Sequence, residues 1–263
     1  MAAKAKKSKF TKALIKNTLT VSVDVTEGDE LLSKRLRTTG VATIFADASQ
    51  LPTLAKEQQR AKGDFPGPVP VILREGGVSA ESISVAKDAG AAGVVLPLSE
   101  LGSEGATELS VLADNAGLES LWEVTSTDEF SAAADAGAKV FLVSSIEDSF
   151  GVNPAFWEGS AKGRTVIAEI RALQAANSEI GLGRSLGAAG CKAVLLSGAC
   201  SGGEDDHRYV DAAFRALRSK ANPEFQIGGL MGQASAVGLS SVQSHATKEP
   251  TVLKENMDHP HML

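Results

Sequence analysis

Along this chain, short continuous apolar runs alternate with longer stretches of mixed polarity. Four runs share one rhythm: TTGVATIFAD (38–47), AGAAGVVLPL (89–98), AGAKVFLVSS (136–145) and AGCKAVLLSG (189–198). Each sets Gly just ahead of a β-rich run, and three set Ala before that Gly. Gly after a helix is a C-cap signal, and a continuously apolar run after it reads as a buried strand. Four further runs lie between them: TLTVSVDV (18–25), VPVILREG (69–76), SLWEVTS (120–126) and TVIAEIR (165–171). The gaps at 28–38, 50–61, 79–89, 105–116, 127–136, 176–189 and 206–219 have the length and polarity of helices.

Eight such units predict the α/β class and a single (β/α)8 TIM barrel. Continuously apolar strands fit it, because parallel strands are buried on both faces. The competing fold is an open doubly wound sheet, which would carry a Gly-rich first turn. The first turn here, VDVTEGDE, has no G-x-G-x-x-G. The rhythm stops near Asn222. The chain therefore divides into a basic N-terminal arm (1–17), the TIM barrel (18–220) and an irregular, Gly/Ser-rich C-terminal tail (221–263).

Composition sharpens this picture. Of 263 residues, 43% are hydrophobic but only 5% aromatic, so the core must be built from Val, Leu, Ile and Ala. A formal charge of −6 argues against general nucleic-acid binding, which needs a clustered basic surface. No apolar run approaches the roughly 20 residues of a membrane span. Cys191 and Cys200 are too few for a disulfide framework or a zinc site, and read as reduced, partly buried thiols. The first sixteen residues hold Lys4, Lys6, Lys7, Lys9, Lys12 and Lys16 and no acid. They read as a solvated basic tail, with an organelle-targeting remnant or an arm docking on an acidic surface as the sharper alternatives. The Lys-rich, Ala-rich start suits the plastid stroma or a plastid-associated complex, and equally the cytoplasm.

In such a barrel, side chains that bind or react project from the C-terminal ends of the strands. Polar residues at those places are Asp24, Asp47, Arg74, Glu75, Glu123, Ser144, Glu169, Arg171 and Ser197. Arg74 is the natural ion-pair partner of the glutamates. Ser144 and Ser145 have no histidine at the strand ends to activate them as nucleophiles. His207 opens the last helix, and His245, His259 and His261 fall in the tail. Two histidines in HPH are a weak metal signal, so no metal or cofactor is expected. Trp122 and Trp157 read as packing residues.

From Val69 to Leu217 the chain resembles the indole-3-glycerol-phosphate synthase family of ribulose-phosphate-binding barrels. VPVILREGGVSAESISVAKDAGAAGVVLPL resembles the family's third and fourth strands, and LWEVTSTDEFSAAADAGAKVFLVSSIEDSFG its fifth and sixth. TVIAEI resembles strand seven, and GCKAVLLSGA strand eight. The resemblance implies a cofactor-independent carboxy-lyase of tryptophan biosynthesis acting on a phosphorylated sugar derivative. By position it implies catalytic roles for Glu123, Glu169 and Arg74, and substrate-binding roles for Glu75, Ser144, Ser197 and Gly198. It also implies a degraded site. Arg74 stands where the family has its acid lysine, and arginine effectively never deprotonates. Strand one offers Asp24 in place of a Glu-x-Lys pair. Ile170 and Arg171 replace the phosphate-binding Ser-Gly, and Glu204, Asp205 and Asp206 follow Gly202 and Gly203. Those three acids suit the first turn of the last helix. The resulting expectation is a pseudoenzyme: a non-catalytic binding or assembly subunit of a larger complex, meeting a protein partner through its basic arm and its tail. The alternative is an active synthase, or a related sugar-phosphate lyase or isomerase.

Overall fold

The computed structural model describes residues 9–144, 146–172 and 178–219. The tail, its histidines, the first eight residues and Ser145 lie outside the described residues. Eight parallel strands close into a barrel: β1 (Thr20–Glu27), β2 (Ile44–Ala46), β3 (Val71–Leu73), β4 (Gly93–Pro97), β5 (Glu119–Val124), β6 (Val140–Val143), β7 (Thr165–Arg171) and β8 (Ala193–Ser201). Each strand pairs with its sequence neighbours, and β1 pairs with β8 to complete the ring. The helices are α1 (Lys9–Leu14), α2 (Glu30–Thr39), α3 (Leu51–Arg60), α4 (Ala80–Ala89), α5 (Leu98–Ala116), α6 (Thr127–Asp135), α7 (Ser178–Ala188) and α8 (Asp206–Arg218). This is the expected TIM barrel.

Local chemistry sets the helix ends. Asp29 accepts a hydrogen bond from Leu32 N to open α2, Ser79 and Ser82 form a reciprocal capping box on α4, and Ser126 caps α6. Gly40 and Gly90 end α2 and α4 in the left-handed region, at φ 93° and 84°. This is the Gly-before-strand rhythm seen in the sequence, because only glycine takes that conformation without a Cβ clash.

The strands alternate between two apolar compartments. Val21, Val23, Ile44, Val94, Leu96, Trp122, Phe141 and Ala168 pack toward the helices. Phe45, Ile72, Val95, Leu121, Leu142, Ile167 and Leu195 fill the barrel interior. Because strand side chains repeat every second residue, the interior face continues upward from each of these positions. Ile72 leads to Arg74, Leu121 to Glu123, Leu142 to Ser144, Ile167 to Glu169 and Leu195 to Ser197.

Three features differ from the sequence expectation. Residues 10–14, assigned to a solvated basic arm, form part of α1, and Phe10 and Leu14 are buried with the interior residues of the barrel. The two apolar positions are one helical turn apart, so a single face plugs the barrel while Lys12 and Lys16 stay exposed. Second, α5 begins at Leu98 and breaks at Gly102 (φ 64°), rather than starting near residue 105. Leu98 is buried, and Glu100 accepts a hydrogen bond from Gly77 N at 3.0 Å, which holds the early turn in place. Third, two π-helical turns, Ile146–Phe150 and Ala155–Ser160, stand between β6 and β7 where the other units have a helix. Their Phe150, Phe156 and Trp157 stack in sequence with Phe130 and Phe141 at centroid distances of 4.4–5.0 Å. Trp157 also donates from Nε1 to Gly151 O.

Cys191 and Cys200 are free and buried, and burial pushes both thiols up to about 12, which leaves them unreactive at neutral pH. Among the described residues no helix is long and apolar enough to cross a membrane.

If α1 is an integral plug, Phe10→Ala should destabilise the barrel by about 3 kcal/mol in urea unfolding, the usual cost of emptying a buried aromatic position. An unchanged midpoint would mean that the helix contributes nothing to the fold.

Candidate functional site

The C-terminal ends of β1, β3, β5 and β7 bring four charged side chains together at one mouth of the barrel. Arg74 Nη1 and Nη2 donate to Glu169 Oε1 and Oε2 at 2.9 and 2.8 Å, a two-point fork. Nη2 also donates to Glu123 Oε1 at 2.8 Å, and Asp24 Oδ2 lies 4.0 Å from Nη1. The side chains are 15–20% exposed, so the cluster is largely withdrawn from water without being sealed. A bidentate charge-assisted pair of this kind is both strong and directional.

Burial disturbs the protonation of this cluster. It pushes the Asp24 carboxyl up to about 6, against the pull of Arg74, while Glu169, Asp47 and Glu123 add to the rise. Burial also raises Glu123, and the charge and hydrogen bond of Arg74 offset only part of this. For Arg74, burial works against the charge. The Glu169 hydrogen bonds and the charges of Glu123, Glu169 and Asp24 outweigh it, so the guanidinium is held still more firmly protonated than an ordinary arginine.

Beside the cluster opens a cleft of about 270 Å³ lined by Asp24, Asp47, Arg74, Glu75, Glu100 and Glu123, among others. Two of these carboxylates are tied into the backbone. Asp47 accepts from Ser49 N and Gln50 N at the start of α3, and Glu100 from Gly77 N. Glu75 lines the cleft without a hydrogen bond or ion pair among the described residues. The opening is thus acidic, with Arg74 as its one cation among the described lining residues.

The remaining sequence-selected residues are nearby in the fold but differently engaged. Ser144 is buried, and its Oγ donates to Val124 O at 3.3 Å, which ties β6 to β5. Ser197 Oγ donates to Ile170 O at 3.5 Å. Gly198 follows it at φ 70°, and Arg171 is exposed at the end of β7. Sequence reasoning placed Asp206 in the first turn of the last helix, where a carboxylate complements the dipole. It does open α8, but its Oδ2 turns back to accept from Ser201 N at 2.7 Å and Gly203 N at 3.0 Å. Two backbone N–H groups, at the end of β8 and in the loop after it, are therefore occupied by the chain's own anion. Glu100 was not selected from the sequence; its one signal is an acid three residues past the end of an apolar strand. Among the described residues no group of His, Cys, Asp and Glu is arranged to hold a metal ion.

No protein-family model matches the chain, and no curated protein sequence matches it either. Solved structures do resemble it. Thiamine phosphate pyrophosphorylase from Pyrococcus furiosus is 17% identical with a TM-score of 0.55, over 76% of this chain and 96% of that one. A cube-shaped, highly porous protein cage designed by fusing symmetric oligomeric domains is 16% identical with a TM-score of 0.58, over 91% of this chain and 87% of that one. At these identities the likeness is one of fold: this chain is a TIM barrel.

Two outcomes are expected from the charge cluster. Arg74→Met leaves three carboxylates without their cation, and should lower stability by about 3 kcal/mol at pH 7.5 in denaturant unfolding. The loss should shrink as pH falls through about 6 and Asp24 takes up its proton. Asp24→Asn should act in the opposite direction. The folded-state pKa of about 6 lies above the ordinary 3.8, so the fold favours protonated Asp24 and loses stability as pH rises through 6. The variant should match the parent near pH 4 and exceed it by about 3 kcal/mol above pH 7. A difference independent of pH would contradict the burial of Asp24.

Proposed function

We propose that this chain is an indole-3-glycerol-phosphate-synthase-like barrel without turnover, serving as a binding or assembly subunit of a larger complex. The observation that carries the reading is the engagement of Arg74. The reaction implied by the resemblance needs a cation able to give up a proton, and arginine effectively never does so. Here its fork is also closed on Glu169 and Glu123, so it is not poised toward an incoming anion.

Two further features support the reading. The acidic cleft beside Arg74 repels a sugar phosphate instead of gathering it. The loop after β8, where the family would seat phosphate on backbone N–H groups, already holds the Asp206 carboxylate. On this proposal Glu123, Glu169 and Arg74 are an inherited ionic network, and Glu75, Ser144, Ser197 and Gly198 line a mouth that no longer grips substrate. The partner contacts fall to the basic segment that includes exposed Lys12 and Lys16, and to the tail. The Lys-rich segment suits a plastid complex and equally a cytoplasmic one.

One observation favours the alternative of an active lyase or isomerase. Asp24, with a pKa of about 6 beside an open cleft, has the properties of a proton-transfer group near neutral pH. A direct assay separates the two. Purified protein should form no indole-3-glycerol phosphate by fluorescence, and should not rescue a tryptophan auxotroph lacking its synthase. Loss of a positioned general acid alone typically costs about 10²–10⁴-fold in rate. Robust rescue that is abolished by Glu123→Gln would overturn the proposal and make this an active synthase with a rebuilt site.

A further inference from the structure

A second cleft lies at the opposite end of the barrel from the charge cluster. It has a volume of about 410 Å³ and is lined by residues just before or at the start of β7 and before β8: Trp157, Ala161, Lys162, Arg164, Val166 and Lys192, with Glu158, Gly163, Gly190 and Cys191 completing it. Its size falls within the ~300–1,000 Å³ of ordinary small-molecule sites.

Two properties distinguish it from the mouth. The first is charge. Lys162, Arg164 and Lys192 border it against the single carboxylate of Glu158, the reverse of the acidic balance around Arg74. None of these cations takes part in an ion pair among the described residues. Arg164 is held in place: Nη1 donates to Ser160 O at 2.7 Å, and the guanidinium stands 5.9 Å from the Phe130 ring centroid. Lys162 and Lys192 are exposed and able to move onto a ligand.

The second property is the floor. Trp157, Ala161, Val166 and Cys191 are all at most 7% exposed, and form an apolar base beneath the cations. Gly190 keeps this base open: a Cβ there would meet Glu158 Cγ at 3.3 Å and Trp157 Cβ at 3.6 Å. The Cys191 thiol, raised by burial to about 12, offers packing surface and no nucleophile.

The geometry points to this cleft as a binding site for a small anion with a flat apolar body, of the aryl phosphate or aryl carboxylate class. The apolar part lies against the Trp157–Val166–Cys191 floor, and the anionic group meets Lys162 and Lys192 at the rim. Apolar floor and cationic rim act together, because field from unpaired cations is strongest over a low-dielectric wall. The inference is independent of whether the mouth of the barrel turns over a substrate, since no residue is shared between the two clefts.

The test is calorimetric titration of the full chain with 1-naphthyl phosphate, with 1-naphthol and inorganic phosphate as the two halves of the probe. Naphthyl phosphate should bind at a single site, and each half should bind at least tenfold more weakly. The Lys162→Gln/Lys192→Gln double variant should lose about tenfold or more in affinity while keeping the parent melting temperature. The corresponding Lys→Arg pair should retain binding, and Ala161→Leu should weaken it by narrowing the cleft. Absence of binding at millimolar probe, equal affinity for 1-naphthol, equal affinity for inorganic phosphate, or indifference to the double Gln substitution would each overturn the assignment.

Discussion

Closure of the sheet by β1 pairing with β8 is the constraint from which the rest of this structure follows. A closed parallel barrel leaves each strand two faces, one toward the helices and one toward the axis. Every second residue is then committed to the interior, and the ladder of apolar residues on each strand must end somewhere near water. It ends in Asp24, Arg74, Glu123, Ser144, Glu169 and Ser197. Charged side chains from four separate strands are forced together there, and a lone guanidinium among carboxylates is the arrangement that lets them be withdrawn from solvent at tolerable cost. The Arg74 fork is thus a consequence of topology before it is a question of chemistry.

The two ends of the barrel solve the same closure problem differently. At the mouth, ionic side chains face one another and a carboxylate from α8 satisfies the loop after β8. At the base, α1 inserts Phe10 and Leu14 into the interior, and Thr11 donates to the Glu119 carboxylate at the start of β5. Between them the interior is apolar apart from pairs such as Thr43 Oγ1 donating to Ser22 Oγ at 2.6 Å, which satisfies two buried hydroxyls at once. The charge left over is distributed unevenly: acid at the mouth, and beneath β7 and β8 lysine and arginine with no ion pair among the described residues.

Much of this was legible in the sequence because its signals are local. Eight apolar runs mark strands buried on both faces, and Gly40 and Gly90 announce helix ends through backbone conformations other residues avoid. The position of Arg74 among glutamates was legible too, since strand-end residues of one barrel must converge and a buried guanidinium requires partners. What stayed hidden depends on distant neighbours. Six lysines among the first sixteen residues obscured a one-turn spacing of Phe10 and Leu14. The aromatic stack that replaces a helix between β6 and β7 needs Phe130 from another unit, which no local window contains. Asp206 has the composition of an ordinary helix start, and only the path of the loop after β8 turns its carboxylate back onto Ser201 and Gly203. The early start of α5 depends likewise on Glu100 meeting Gly77 across two loops.

The central claim is that Arg74 is held by its neighbours at the mouth and is not presented to an incoming anion. A double-mutant cycle between Arg74→Met and Glu169→Gln, read by urea unfolding at pH 7.5, measures that interaction most directly. The account expects a coupling of about 2 kcal/mol or more, near the upper part of the range for contacting residues. Additivity within ~0.5 kcal/mol, the behaviour of residues that do not touch, would mean that Arg74 is free at the mouth and would contradict the account.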